Sequence, residues 1–106
     1  MKRVVLSCLV ALGFGLSFQA QAVDAEKAMA LAQAKNCLAC HKIDIKIVGP
    51  SYKQVAAKYK GDASAVDSLA QKVIKGTSGT WGNIPMPPNP VTADEAKLLV
   101  QWILSL

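Results

Sequence analysis

The chain has 106 residues, 52% of them hydrophobic and 6% aromatic, with twelve basic side chains against seven acidic ones and a formal charge of +5. That length holds one domain. The charge is too mild, and arginine too scarce with Arg3 alone, for the fork-like recognition of phosphates and bases by which nucleic-acid binders work.

Lys2 and Arg3 precede an apolar run from Val4 to Phe18, and Ala20-Gln21-Ala22 has the small-x-small pattern of a signal-peptidase site. Residues 1–22 therefore read as a cleaved signal peptide and residues 23–106 as the working domain. The apolar run is shorter than the ~20 residues that span a bilayer, which disfavours a membrane anchor. Leu6-Ser7-Cys8 resembles part of a lipid-attachment site, but it opens the apolar run instead of following it, so Cys8 is expected to leave with the peptide. Removing residues 1–22 from 106 leaves 84, with ten lysines against seven acids, a net charge of +3 and two cysteines. A domain that small gains from a staple or a cofactor.

Asp24 to Lys35 is rich in helix formers, with Asp24 placed to cap and Ala28, Leu31 and Ala32 in one narrow stripe. Met29 is expected in the core. A loop over 43–51 contains Gly49-Pro50, which breaks any helix before a short helical segment at Tyr52–Lys60. Ser64-Ala65-Val66-Asp67 resembles a capping box and opens a helix with Val66, Leu69, Val73 and Ile74 inward, closed at Gly76. Residues 77–91 hold four prolines, and neither a helix nor a paired strand persists through them. Thr92-Ala93-Asp94-Glu95 is a full capping box, after which Leu98, Leu99, Trp102, Ile103 and Leu106 recur at the spacing of a buried helical face. No segment alternates as a half-buried strand does, so the domain reads as all-α with about four helices.

Cys37-Leu38-Ala39-Cys40-His41 is the pattern Cys-x-x-Cys-His, the attachment signature of a c-type haem. Two residues between the thiols put both sulfurs within reach of the two vinyl groups on one porphyrin edge. The adjacent imidazole is a good iron ligand. Three duller readings compete. A zinc site needs four ligands, and the processed chain owns two cysteines and one histidine. A thioredoxin-like pair belongs at a strand-to-helix junction, which this chain lacks. A disulfide across so short a loop stabilises little.

One histidine leaves the sixth iron position to be filled. Met86 lies 45 residues after His41, among Pro85, Pro87 and Pro88. Prolines remove backbone freedom before a ligand binds, so this loop can present a thioether at low entropic cost. Met86 reads as the second axial ligand in preference to a core filler.

CLACH, then VGP, then WGNIPMPPN, then a helix containing Trp102, in that order and spacing, resemble the small bacterial class I cytochromes c of the c-551 type over residues 24–106. The resemblance implies a four- to five-helix class I cytochrome c fold wrapped around one haem c. It implies thioethers at Cys37 and Cys40, and His41 and Met86 as the axial pair on iron. It implies further that the Pro50 carbonyl accepts the far imidazole proton of His41, which fixes the ring and strengthens it as a donor. By the same resemblance Asn89 bonds near the methionine sulfur, and Trp81 donates to a haem propionate. Lys72 stands where the family often has arginine, and an ammonium makes a single-point contact instead of a fork.

Iron with both axial positions filled disfavours substrate binding and favours electron transfer, so no catalytic residues are expected. Lys35, Lys42, Lys46, Lys72 and Lys75 are candidates to ring the haem edge and steer an acidic partner. The resemblance implies a periplasmic, monomeric carrier. Its donor would be a membrane quinol-oxidising complex, and its acceptor a nitrite reductase, peroxidase or terminal oxidase. A haem enzyme or gas sensor is the rival class, and the missing distal histidine and the early haem motif count against it. A haem-free thiol or metal module would be colourless.

Overall fold

The computed structural model describes Gly13 and residues 23–106; the reading of 1–22 as a signal peptide lies outside the described residues. Among the described residues four α-helices follow in order: α1 (Ala25–Ala34), α2 (Tyr52–Lys58), α3 (Ala65–Lys75) and α4 (Ala93–Leu104), with a 3-10 turn at Cys37–Ala39 between the first two. Among the described residues no helix is long and apolar enough to cross a membrane. The all-α expectation holds.

Asp24 caps α1 as its sequence position suggests, its carboxylate accepting the Lys27 N–H at 3.0 Å. The helix buries Ala28 and Ala32, two small residues that let it approach its neighbour closely. Met29 departs from expectation: it is 37% exposed, because it sits one residue beyond Ala28 and so off the buried stripe. Asn36, in the left-handed conformation with φ of 59°, then turns the chain into the Cys37–Ala39 segment. Asparagine tolerates that region better than most residues.

Helix α2 carries a capping box that the sequence reading passes over. The Ser51 hydroxyl accepts from the Gln54 N–H at 3.1 Å, while the Gln54 carboxamide accepts from the Ser51 N–H at 2.9 Å. Its next two free N–H groups, of Tyr52 and Lys53, donate to the carbonyls of Lys42 and Ile43 at 2.9 and 3.1 Å. The helix start is thereby fastened to the chain just after His41.

Helix α3 corrects another expectation. Ser64 makes no side-chain cap; instead the Asp62 carboxylate accepts from both the N–H and the hydroxyl of Ser64, at 2.9 and 2.7 Å. A box needs a Glu or Gln side chain at its fourth position to reach back, and Asp67 is too short. The deepest α3 residues are Ala65 and Ala70, with Val66, Leu69, Val73 and Ile74 partly buried around them. Helix α4 has the predicted box: Thr92 and Glu95 exchange bonds of 2.9 and 3.1 Å. Leu99, Trp102 and Ile103 are buried, Leu98 packs beside them, and Leu106 lies past the helix end at 39% exposure.

Helix α4 touches each of the other three helices. It divides the apolar interior into two clusters. One joins Ala28, Ala32, Tyr52, Leu99, Trp102 and Ile103; the other joins Ala70, Ala96 and Val100. Through residues 77–91 no strand forms, but Thr77 and Met86 make one antiparallel bridge, exchanging N–H···O=C bonds of 3.0 and 2.8 Å.

Candidate functional site

A partly open cavity of about 380 Å³ lies against α4. Cys37, Cys40 and His41 line it from the 3-10 turn and the two residues beyond it, Met86 lines it from the proline loop, and Leu99, Val100 and Ile103 line it from α4. Pro50, Lys72 and Trp81 also line it, so seven of the eight residues singled out by sequence converge here.

The His41 imidazole is fixed from several directions. Its Nδ1 is 2.7 Å from the Pro50 carbonyl, which can only accept, so the proton sits on Nδ1 and Nε2 keeps its lone pair for a metal. Gly49 packs so closely that a Cβ there would lie 2.6 Å from His41 Cε1. The Tyr52 ring stacks on the imidazole at a centroid separation of 5.1 Å and an interplanar angle of 21°, and meets Trp102 edge-on at 5.5 Å and 76°. Such pairs contribute about 0.5–1.5 kcal/mol each beyond area burial.

Met86 is held by backbone. The Thr77 bridge fixes its N–H and carbonyl, and Gly76, at φ of +80°, leaves room that a Cβ would fill at 2.6 Å from the Met86 carbonyl oxygen. Asn89 does not line the cavity; its amide donates to the carbonyls of Val73 and Pro87 at 3.0 and 3.1 Å, stapling the loop to α3. The Trp81 ring carries the Lys58 ammonium 5.5 Å from its centroid, within cation–π range. Of the five lysines considered for a docking face, Lys46 and Lys72 line the cavity. Lys35 lies where its charge reaches Glu95.

Cys37 and Cys40 are free thiols, both half-buried. Burial chiefly pushes the Cys37 thiol up from its ordinary value, with Cys40 adding to the effect. Two thiols, one imidazole and one thioether on the cavity wall suit a ligand that brings its own equatorial donors. An apolar cavity with two thiols and an imidazole at one end, and a thioether presented from a separate loop, fits haem.

The cytochrome c family model matches residues 25–106. The chain belongs to the cytochrome c family. This cytochrome is 51% identical to cytochrome c-551 of Stutzerimonas stutzeri over 107 residues, covering 100% of this chain and 99% of that one. It is 50% identical to cytochrome c-551 of Pseudomonas aeruginosa, covering 99% and 98%. The crystal structure of wild-type Nitrosomonas europaea cytochrome c552 superposes with a TM-score of 0.72 at 49% identity, covering 74% of this chain and 98% of that one. The cytochrome is thus of the bacterial class I, c-551 type, an electron-carrier haem protein with one covalently attached haem c and its iron.

Sequence reasoning missed Tyr52 as a wall of the site, because a tyrosine at the start of a short helix looks like ordinary core. It read Gly76 only as a helix stop. The signal available for Gly49 was its place directly before Pro50, in VGP.

Proposed function

We propose that this cytochrome shuttles single electrons in the periplasm, with thioethers at Cys37 and Cys40 and with His41 and Met86 as the axial ligands. The observation that carries the assignment is that His41, with its Nδ1 proton committed to Pro50, and Met86, pinned by the Thr77 bridge, line one cavity. Bound haem supplies a one-electron couple, and the chain supplies its ligands and surroundings. A thioether ligand and an apolar wall both favour the less charged ferrous state, so a positive potential is expected. Two axial side chains leave iron no position for a substrate, which supports a carrier over an enzyme.

Residues 1–22 serve in this reading as an export signal removed after about Ala22, leaving 23–106 as the haem domain. A solved relative is matched nearly end to end by about three quarters of this chain, which supports a shorter processed form. Pro50 orients His41, and Trp81 and Lys72 face the haem carboxylates. Asn89 acts at the methionine end of the site, where it ties the loop to α3. The working protein is a monomer that makes no stable membrane insertion and binds no nucleic acid. It receives electrons from a quinol-oxidising membrane complex and passes them to a nitrite reductase, peroxidase or terminal oxidase. Lys46 and Lys72 at the cavity, with exposed Ile47, Val48 and Ile84 beside them, form the contact face for such partners.

The test is the ferric absorption spectrum near ~695 nm, where sulfur-to-iron ligation gives a weak band. The band should be present in the wild-type protein and absent from Met86→Ala, which should keep its haem and lose its high potential. A Met86→Ala protein with an unchanged band and potential sinks the axial assignment.

A further inference from the structure

We infer that Tyr52 is a positioning residue of the haem site: its ring sets the plane of the His41 imidazole. The inference rests on the proposed His41 ligation. Pro50 fixes the imidazole at one atom, through a 2.7 Å bond to Nδ1. A ring held at one atom can still rock about that bond, and ligand-plane orientation controls how the imidazole π-system overlaps the iron orbitals. The Tyr52 ring, near-parallel to the imidazole at 21° and 5.1 Å away, resists that rocking.

Tyr52 can do so because it is itself immobilised. It is 4% exposed. Its N–H is tied to the Lys42 carbonyl at 2.9 Å, its ring is braced edge-on by Trp102 of α4, and its backbone opens a helix locked by the Ser51–Gln54 box. The α4 packing is thereby carried to the iron ligand through two aromatic contacts.

The experiment compares Tyr52→Phe, Tyr52→Leu and Trp102→Phe as holoproteins, reading the haem-methyl shift pattern of the ferric state by NMR. That pattern reports the axial imidazole plane and is not moved by a change of stability alone. Haem content and the methionine band are recorded first; their absence from the wild type overturns the carrier reading, whereas their presence isolates the role of Tyr52. Tyr52→Leu should reorder the methyl shifts. Tyr52→Phe, which keeps the ring, should keep the wild-type order, and Trp102→Phe should shift the pattern in the direction of the Leu variant by a smaller amount. An unchanged pattern in Tyr52→Leu overturns the inference, since Pro50 and Gly49 would then suffice. Where Tyr52→Leu yields no holoprotein, the other two variants decide: a wild-type pattern in Trp102→Phe, or a reordered one in Tyr52→Phe, overturns control by the ring.

Discussion

Gly49 and Gly76 lack side chains for related steric reasons at two walls of the cavity. At Gly49 the backbone conformation is open to any residue, and only the His41 ring, 2.6 Å from where a Cβ would stand, forbids one. Gly49→Ala is expected to displace the imidazole or the Pro50 carbonyl and to cost about 1–3 kcal/mol, as overpacking does, measured by denaturant unfolding of the holoprotein. At Gly76 two penalties combine: φ of +80° and the Met86 carbonyl at 2.6 Å. Gly76→Ala should therefore release Met86 first, so that the ~695 nm band of methionine ligation is lost at a lower denaturant concentration than the helical signal. Loss of both at one concentration would show that the loop does not yield separately. That Cys37, Cys40, His41 and Met86 would meet at one cavity could be anticipated from the sequence, because residue type and spacing single them out. The two glycines could not, since what excludes a side chain at Gly49 is a ring eight residues back, and at Gly76 a carbonyl ten residues on.

The elements show how local rules succeed or fail by one atom of reach. Thr92 and Glu95 form a reciprocal cap because glutamate is long enough, and α4 starts where the pattern places it. Ser64 and Asp67 copy that spacing without that length, and Asp62 takes over the Ser64 N–H and hydroxyl. The α4 box also carries a pH dependence. The Thr92 N–H, above all, holds the Glu95 carboxyl below its ordinary value of 4.5. A carboxyl depressed in the folded state favours folding at full strength above the unfolded value, and that contribution disappears as the pH falls through the folded one. Thermal stability should decline on acidification below pH ~4.5, the range set by an ordinary glutamate. Glu95→Gln should flatten that decline, because a neutral amide can still accept from Thr92. Melting curves across the acidic range decide it; parallel pH profiles for the two proteins would assign the decline to other carboxylates.

At the scale of the molecule, the interior is thin for a domain of this size. Among the described residues, five of the ten buried hydrophobic ones are alanines, which contribute little apolar area. The remaining weight falls on α4, whose Leu99, Trp102 and Ile103 serve one cluster while Val100 serves the other. The cavity bordered by Leu99, Val100 and Ile103 lies where those clusters would otherwise meet. A haem seated there would be packed by both of them and, on the proposed ligation, held by Cys37, Cys40, His41 and Met86. It would take the place of the large side chains that this core lacks. A helical pattern with caps could be read from the sequence, but this division of the core could not, because it depends on which faces of α4 meet which helix. The same chain without haem, made as the Cys37→Ser, Cys40→Ser variant and stripped with acidified solvent, should therefore lose cooperative unfolding. Short capped helices are marginal in water without tertiary packing, so far-UV circular dichroism should show a broad, sloping melt in place of a single transition. A sharp transition in the haem-free protein would mean that α1, α3 and α4 close the core by themselves, and that the cavity is a slot in an already stable bundle.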